Sequence, residues 1–321
     1  MLKVLLTDTH FGVKQNSLPW LNSQKQFIYE QFIPYLKRLK EPFEILHLGD
    51  VFDSRSSIST LIATEVVKIF KDLSNIPNLN RILIIAGNHD FYSPNSDEID
   101  SINLLLSNID KIEIISKDIK IENQYLFVPW YKWFDQDNLQ KVCDEQNIQY
   151  VFTHADIISS PVNLVGPKIF SGHTHTIYIK GNIYNLGSCF PLNFTDSNTV
   201  RGFYVLYDDG KLKFINNEKS IRFWRLNEES LSNLPDIRDW DYVEIYIKQS
   251  NLGNSEYMDI INDIMTNRCK NVSIFPQMTE MTGMKMANFE QYDIESFTAS
   301  FIPNELSEKF NQILKNKDLN T

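Results

Sequence analysis

A chain of 321 residues, 42% hydrophobic and 22% charged, has the make-up of an ordinary folded protein; this excludes extended disorder and leaves room for one large domain and a smaller appendage. A formal net charge of −10 and a pI near 5.1 argue against strong binding of a polyanion by the isolated chain, since counterion release needs a basic surface. No apolar run approaches the roughly 18 residues that cross a bilayer, and the apolar start meets Thr7 and Asp8 at once, so neither a membrane span nor a leader is expected.

Residues 3–7 form a short apolar run that stops at a polar cluster, the pattern of a buried parallel strand. Phe27, Ile28, Phe32, Leu36 and Leu39 then recur at helical spacing, with Pro34 expected to kink the helix. Residues 44–48 read as a second strand ending at Gly49-Asp50. A helix over 59–73 puts Ile62, Val66, Ile69, Phe70 and Leu73 on one face, and 81–86 is a third strand ending at Gly87-Asn88. A helical patch is expected near 99–106, short strands at 112–115, 119–121 and 125–128, and a polar helix at 139–145. Strands at 150–154 and 168–171 follow, and the remainder to Leu226 alternates as strands, with a hairpin turn at Asp208-Asp209-Gly210. Strand and helix alternating in this way predict a layered α/β sheet whose reactive groups gather at the carboxyl ends of the strands.

Past Leu226 the pattern changes. A strand at 242–247, a helix face of Tyr257, Ile260, Ile261, Ile264 and Met265, and a strand at 272–275 make a small β-α-β unit. A last amphipathic helix is expected over 304–315. The chain therefore divides into an α/β catalytic domain at 1–226, an α+β cap at 227–300 and a C-terminal helix within 301–321. Cys143, Cys189 and Cys269 lie far apart with no C-x-x-C pair, which predicts reduced thiols in a cytoplasmic protein.

Five strand ends carry Asp8-x-His10, Gly49-Asp50-x-x-Asp53, Gly87-Asn88-His89-Asp90, His154 and Gly172-His173-Thr174-His175, and five of the six histidines fall in them. Carboxylate, imidazole and amide oxygen suit borderline divalent ions such as manganese, iron or zinc, whereas an all-oxygen magnesium site would not use four histidines. Two such ions about 3.5 to 4 Å apart share one carboxylate and one hydroxide. Asp8, His10 and His175 are expected at the first ion, Asn88, His154 and His173 at the second, and Asp50 between them. A single histidine at a strand end is usually a satisfied polar residue, so the assignment rests on the set.

His89 directly follows a ligand, so its ring is expected to face the substrate as transition-state stabiliser or general acid toward the leaving oxygen. Asp90 either holds the His89 imidazole in its working tautomer or is a plain turn carboxylate. His47, inside a strand and outside every motif, reads as a buried hydrogen-bonded imidazole. Trp130, Tyr131 and Trp133 either stack unpaired bases or pack at the rim.

Together, across about residues 1–220, the five motifs resemble the calcineurin-like metallophosphoesterase superfamily. The resemblance implies a four-layer α/β/β/α sandwich and the same ligand set. Asp8-Thr9-His10-Phe11-Gly12, Gly49-Asp50-Val51-Phe52-Asp53 and Gly187-Ser188 look like the SbcD-type DNA repair nucleases, and among them the recombination endonuclease subunits of T-even-like phages. Members of that family carry a small cap after the catalytic sheet and cut DNA as 3′ to 5′ exonucleases and endonucleases. They work with manganese and with an SMC-like ABC ATPase bound to a C-terminal helical segment.

Carried over, the resemblance implies a recombination or break-repair nuclease subunit in which a hydroxide shared by two ions attacks phosphorus while His89 assists the leaving oxygen. Manganese is the first choice of metal, with magnesium, iron and zinc as alternatives. The helix at 304–315 is either the ATPase docking element or a helix packed on its own cap. The rival reading is a phosphatase or phosphodiesterase of the same superfamily acting on small substrates, which would not need the cap. Pairing of two copies stays open.

Overall fold

The structure, a computed structural model, describes residues 1–160 and 162–277. In chain order its strands are β1 Leu2–Leu6, β2 Phe43–His47, β3 Leu79–Ile85, β4 Phe91–Ser93, β5 Ser96–Asp100, β6 Ile112–Ile115, β7 Lys120–Glu122 and β8 Tyr125–Val128. They continue with β9 Tyr150–Thr153, β10 Lys168–Ser171, β11 Tyr178–Lys180, β12 Ile183–Asn185, β13 Gly202–Leu206, β14 Leu212–Asn216, β15 Phe223–Asn227, β16 Tyr242–Lys248 and β17 Asn271–Gln277. Two sheets have six strands each, in the orders β14-β13-β1-β2-β3-β6 and β11-β12-β10-β9-β8-β7. A three-stranded sheet β15-β16-β17 and the hairpin β4-β5 complete the set.

The two large sheets stack because side chains alternate along each strand. Val4, Leu6, Ile45, Ile82 and Ile84 face the helices of the first sheet, whereas Leu5, Leu46, Leu83 and Ile85 face the second sheet and meet Phe127, Phe152 and Phe170. From the second sheet Leu126, Val151 and Ile169 point the other way, onto Leu139 and Cys143 of the helix Gln136–Gln146. Helix, sheet, sheet, helix is the four-layer α/β/β/α sandwich expected. Since β1, β2, β3 and β6 run parallel, as do β8, β9 and β10, the carboxyl ends within each set open on one edge.

At the opposite ends of the strands an ionic cluster ties the sheets together. Arg81 of β3 bonds Glu44 of β2 (2.8 Å), Glu113 of β6 (2.7 Å) and Glu122 of β7 in the other sheet (2.8 Å). Lys3 of β1 adds a 3.3 Å contact to Glu44 and lies 4.1 Å above the Tyr125 ring of β8.

The helices follow local chemistry. Ser59 caps Thr60–Ser74 by accepting the Ile62 N–H at 3.3 Å, and the predicted apolar face is the buried one. The first helical stretch is longer than its periodicity predicts, running Leu18–Phe27, Ile28–Phe32 and Ile33–Lys37. Pro34 has no N–H to return to the preceding turn, and just ahead of it the helix widens into a π-turn in which Ile33 N–H reaches the Ile28 carbonyl. The helical patch expected at 99–106 begins later, at Ser101. Ile99 belongs to the polar hairpin strand β5, and Asp100 caps the helix by accepting the Asn103 N–H at 2.6 Å.

The expected boundary after Leu226 falls within β15, which pairs in parallel with β16. With the helix Ser255–Asp263, these strands enclose a separate core of Leu226, Val243, Ile245, Ile247 and Ile261. The helix expected at 304–315 lies outside the described residues. All three cysteines are buried and unpaired, and no helix among the described residues is long and apolar enough to cross a membrane.

Candidate metal centre

The chain bends sharply where its strands end. Asp8 (φ 52°), His10 (φ 44°), Asp50 (φ 53°) and His173 (φ 76°) all adopt the left-handed conformation, which costs a non-glycine residue about 1 kcal/mol or more. Four strained residues at four expected ligand positions mark a place where side-chain direction outweighs backbone comfort. Two glycines make room for the carboxylates: a Cβ on Gly87 would sit 2.2 Å from Asp50 Oδ1, and one on Gly172 would sit 2.7 Å from Asp8 Oδ2.

These bends gather the expected residues into two groups, Asp8 with His10 and His175, and Asp50 with His154 and His173; within each group the candidate donor atoms lie within 4.8 Å of one another. In the first group His10 Nε2 and His175 Nε2 face each other at 3.1 Å, with Asp8 Oδ1 at 3.7 and 3.8 Å from them. In the second, Asn88 Oδ1 lies 3.1 Å from His154 Nε2 and 2.8 Å from His173 Nδ1. Asp50 Oδ2 reaches both groups, at 3.7 Å from His10 Nε2 and 3.2 Å from His154 Nε2.

The arrangement calls for cations. His154 Nδ1 donates to the Leu48 carbonyl at 2.7 Å, so its Nε2 turns a lone pair toward two acceptor oxygens, those of Asn88 and Asp50. A lone pair and two acceptors are mutually repulsive unless a proton or a metal ion lies among them. A fixed tautomer with the second nitrogen bonded to a carbonyl is also how metal-binding imidazoles are oriented. The donor set of imidazole, carboxylate and amide oxygen therefore fits a pair of divalent ions.

Electrostatics agree. Burial opposes charge on His10, but the Asp53 and Asp8 carboxylates outweigh it and raise its pKa to about 10. On His154 burial is likewise outweighed, chiefly by Asp50, and the pKa rises to about 9. Burial would raise Asp50, yet His154 and His10 hold it well below the usual carboxylate range. His173 and His175 are lowered, mainly by burial. At His10 and His154 the neighbouring carboxylates thus favour positive charge against burial, and the same field favours a metal cation there.

Of the two residues expected to act on the substrate, His89 lies at the site, its ring centroid 5.1 Å from that of His10. Its Nδ1 meets the Asp53 backbone carbonyl at 2.5 Å, and its backbone N–H donates to Asp50 Oδ1 at 2.8 Å. Of the two readings of Asp90, the partner of the His89 ring is corrected and the turn carboxylate is the one found. Its fully buried carboxylate accepts the backbone N–H groups of Asp50 (2.9 Å), Val51 (3.0 Å), Phe52 (3.4 Å) and Gly87 (2.9 Å), and so fixes the two turns that carry Asp50 and Asn88. An amide-saturated carboxylate has no lone pair left for an imidazole in the next residue.

Three supporting groups were given no role in the reading of the sequence. The Asp53 carboxylate lies 3.4 Å from His10 Nδ1, and its fixed distance from Asp50 in the motif was the available signal. Leu48 acts through its carbonyl. Arg201, buried, bonds the His175 carbonyl and, at 2.7 Å, the Asp196 carboxylate. His47 is buried, with Nε2 3.0 Å from Thr9 Oγ1, and burial lowers its pKa to about 3. Trp133 is buried, Tyr131 packs edge-on against Phe91, and Trp130 lies beside His173 with ring centroids 4.7 Å apart.

A family model described as calcineurin-like phosphoesterase matches residues 1–219. Over 224 residues the chain is 23% identical to Exonuclease subunit 1 of Enterobacteria phage T4, a match that spans 64% of each chain and so less than two thirds of that relative's length. Among solved structures, the crystal structure of Pseudomonas putida nuclease MPE aligns with 66% of this chain and 87% of its own, at 13% identity and a TM-score of 0.33.

Proposed function

The chain belongs to the calcineurin-like phosphoesterase family, and from that premise we propose that it is a manganese-dependent DNA nuclease subunit acting in recombination or break repair. The observation that carries the reading is the position of Asp50 Oδ2, 3.2 Å from His154 Nε2 in one group and 3.7 Å from His10 Nε2 in the other. One carboxylate common to two nitrogen-rich groups is what a two-ion phosphoesterase needs.

Asp8, His10 and His175 would hold one ion, Asn88, His154 and His173 the other, and Asp50 both. When bound, such a pair supplies a water of lowered pKa and Lewis-acid polarisation of the phosphoryl oxygens. The chain's own residues do the rest. Asp90 keeps the Asp50 and Asn88 turns rigid through their amides. His89, its Nδ1–H donating to the Asp53 carbonyl, would act as the imidazolium, passing its Nε2 proton or a hydrogen bond to the departing sugar oxygen and ending as the neutral ring.

DNA as the substrate is supported by the name of the phage T4 relative, an exonuclease subunit, and by the small β15-β16-β17 unit, which hydrolysis of a minimal ester would not require. On this reading residues 1–226 are the catalytic domain, 227–300 the cap, and the C-terminal residues the dock for an SMC-like ABC ATPase. The net charge of −10 favours such a partner as the source of basic surface. Buried, unpaired cysteines suit the reducing cytoplasm.

The test is hydrolysis by the full chain of single- and double-stranded DNA beside a chromogenic phosphodiester, with manganese at low salt. DNA cleavage that disappears in Asp50→Asn is expected. Turnover of the small ester alone would replace the nuclease reading with that of a small-substrate phosphodiesterase.

A further inference from the structure

Beside the second group of candidate ligands, and sharing only His173 with it, lies a cavity of about 420 Å³. Trp130, Phe134 and His173 line it together with the polar Gln136, Asp156 and Asn163. The chain leaves β8 through Pro129 and turns at once, and the Trp130 backbone N–H donates to the Ala86 carbonyl at 3.1 Å, which fixes the main chain that carries the indole. Its ring is tilted 35° on that of His173, with centroids 4.7 Å apart. Phe134 stands perpendicular to Trp130 at 5.3 Å and is 65% exposed, so its own face is open to a ligand.

The chemistry of the lining selects the ligand. Among the described residues no lysine or arginine lines the cavity, and Asp156 would repel a phosphate. An aromatic side chain offers a stacking face, and the Asp156 carboxylate, one oxygen of which already accepts the Ile158 and Ser159 N–H groups, offers its other oxygen to a donor on the edge of a planar heterocycle. The volume lies within the range of about 300 to 1,000 Å³ typical of small-molecule pockets.

We propose that this cavity receives an unpaired nucleobase of the DNA strand being cut, that of the nucleotide flanking the phosphate at the candidate ions. The proposal rests on the nuclease reading and adds to it a substrate preference. Phe134 is the stacking platform and Trp130 the rigid wall that registers the base against His173. A base inside a duplex is stacked and paired, so it enters only when the strand is single or its end has frayed. The enzyme therefore cuts single strands and frayed ends in preference to closed duplex.

The experiment uses the full chain with manganese and single-stranded oligonucleotides carrying one abasic nucleotide, moved step by step past a mapped cleavage position. Phe134→Ala and Phe134→Trp are measured beside the wild type, with manganese content and melting temperature recorded for each. In the wild type, cleavage next to the abasic residue is expected to fall about tenfold, the size of a lost base–aromatic stack. In Phe134→Ala the intact strand should be cut at that same reduced rate, so that the abasic penalty vanishes; Phe134→Trp should restore both rate and penalty. DNA cleavage with no abasic penalty in the wild type, or an equal penalty in Phe134→Ala, overturns the base subsite while leaving the nuclease reading intact. Failure of the wild type to cut any DNA while it hydrolyses a small ester overturns both.

Discussion

His89 Nδ1 lies 2.5 Å from the backbone carbonyl of Asp53, so the main chain of the loop after β2 sets the direction in which the ring presents Nε2. His89→Ala is therefore expected to keep both ions and to lose about 10² to 10⁴ in kcat, the usual contribution of a positioned acid or base. Steady-state kinetics with metal analysis checks this; parental turnover would remove His89 from the chemistry. Asp53→Ala keeps the carbonyl and should leave the ring oriented, so its effect should fall on metal affinity through His10, 3.4 Å from the lost carboxylate.

Asp90 gives a second prediction. Its removal strands the buried amides of Asp50, Val51 and Gly87, each costing about 1 to 3 kcal/mol when left unpaired. Urea unfolding of metal-free Asp90→Ala should show a loss of about 3 kcal/mol or more. A metal-free protein as stable as the wild type would mean that these amides find other partners.

How legible all this was in the sequence depended on which atoms act. The proposed ligands Asp8, Asp50, Asn88, His154, His173 and His175 would act through side chains at the ends of apolar strands, so motif and strand pattern pointed to them together. The Asp53 and Leu48 carbonyls are main-chain atoms that every residue type possesses, and nothing in the sequence marks them out. Asp90 shows the converse limit. Its identity was noticed, but its partners are backbone amides 38 to 40 positions away in the chain, as well as Gly87 nearby, and only the folded turns bring them together. The four layers were readable from alternating apolar residues; the hairpin β4-β5 was not, because Ser96–Asp100 is polar and has no buried face to impose a period.

The glycines at the site give a third prediction. Gly87→Ala places a methyl group 2.2 Å from Asp50 Oδ1 and 2.4 Å from the Asp50 backbone nitrogen, so the carboxylate or its turn must move. Manganese content should drop from two ions per chain to one or none, with the fold retained by circular dichroism. Two tightly held ions in this variant would show that the Asp50 turn yields without loss.

The Arg81 cluster gives a fourth, separable from catalysis. Hydrogen bonding from Arg81 outweighs burial and holds the Glu122 carboxyl at about 2, below its ordinary 4.5. The stabilisation is thus fully present above pH 4.5 and is lost as pH falls through about 2. Arg81→Met should unfold at lower urea than the wild type at pH 6, by a margin that shrinks as pH is lowered from 4.5 toward 2. A margin independent of pH would assign the effect of Arg81 to packing rather than charge.

The most direct test of the two-ion centre is manganese loading of the full chain, read by metal analysis and electron paramagnetic resonance, beside Asp50→Asn. The geometry predicts two ions per wild-type chain with the spectrum of a spin-coupled pair, since ions sharing a carboxylate sit about 3.5 to 4 Å apart, and loss of that coupling in Asp50→Asn. A single ion, or two ions that behave independently in the wild type, would contradict it.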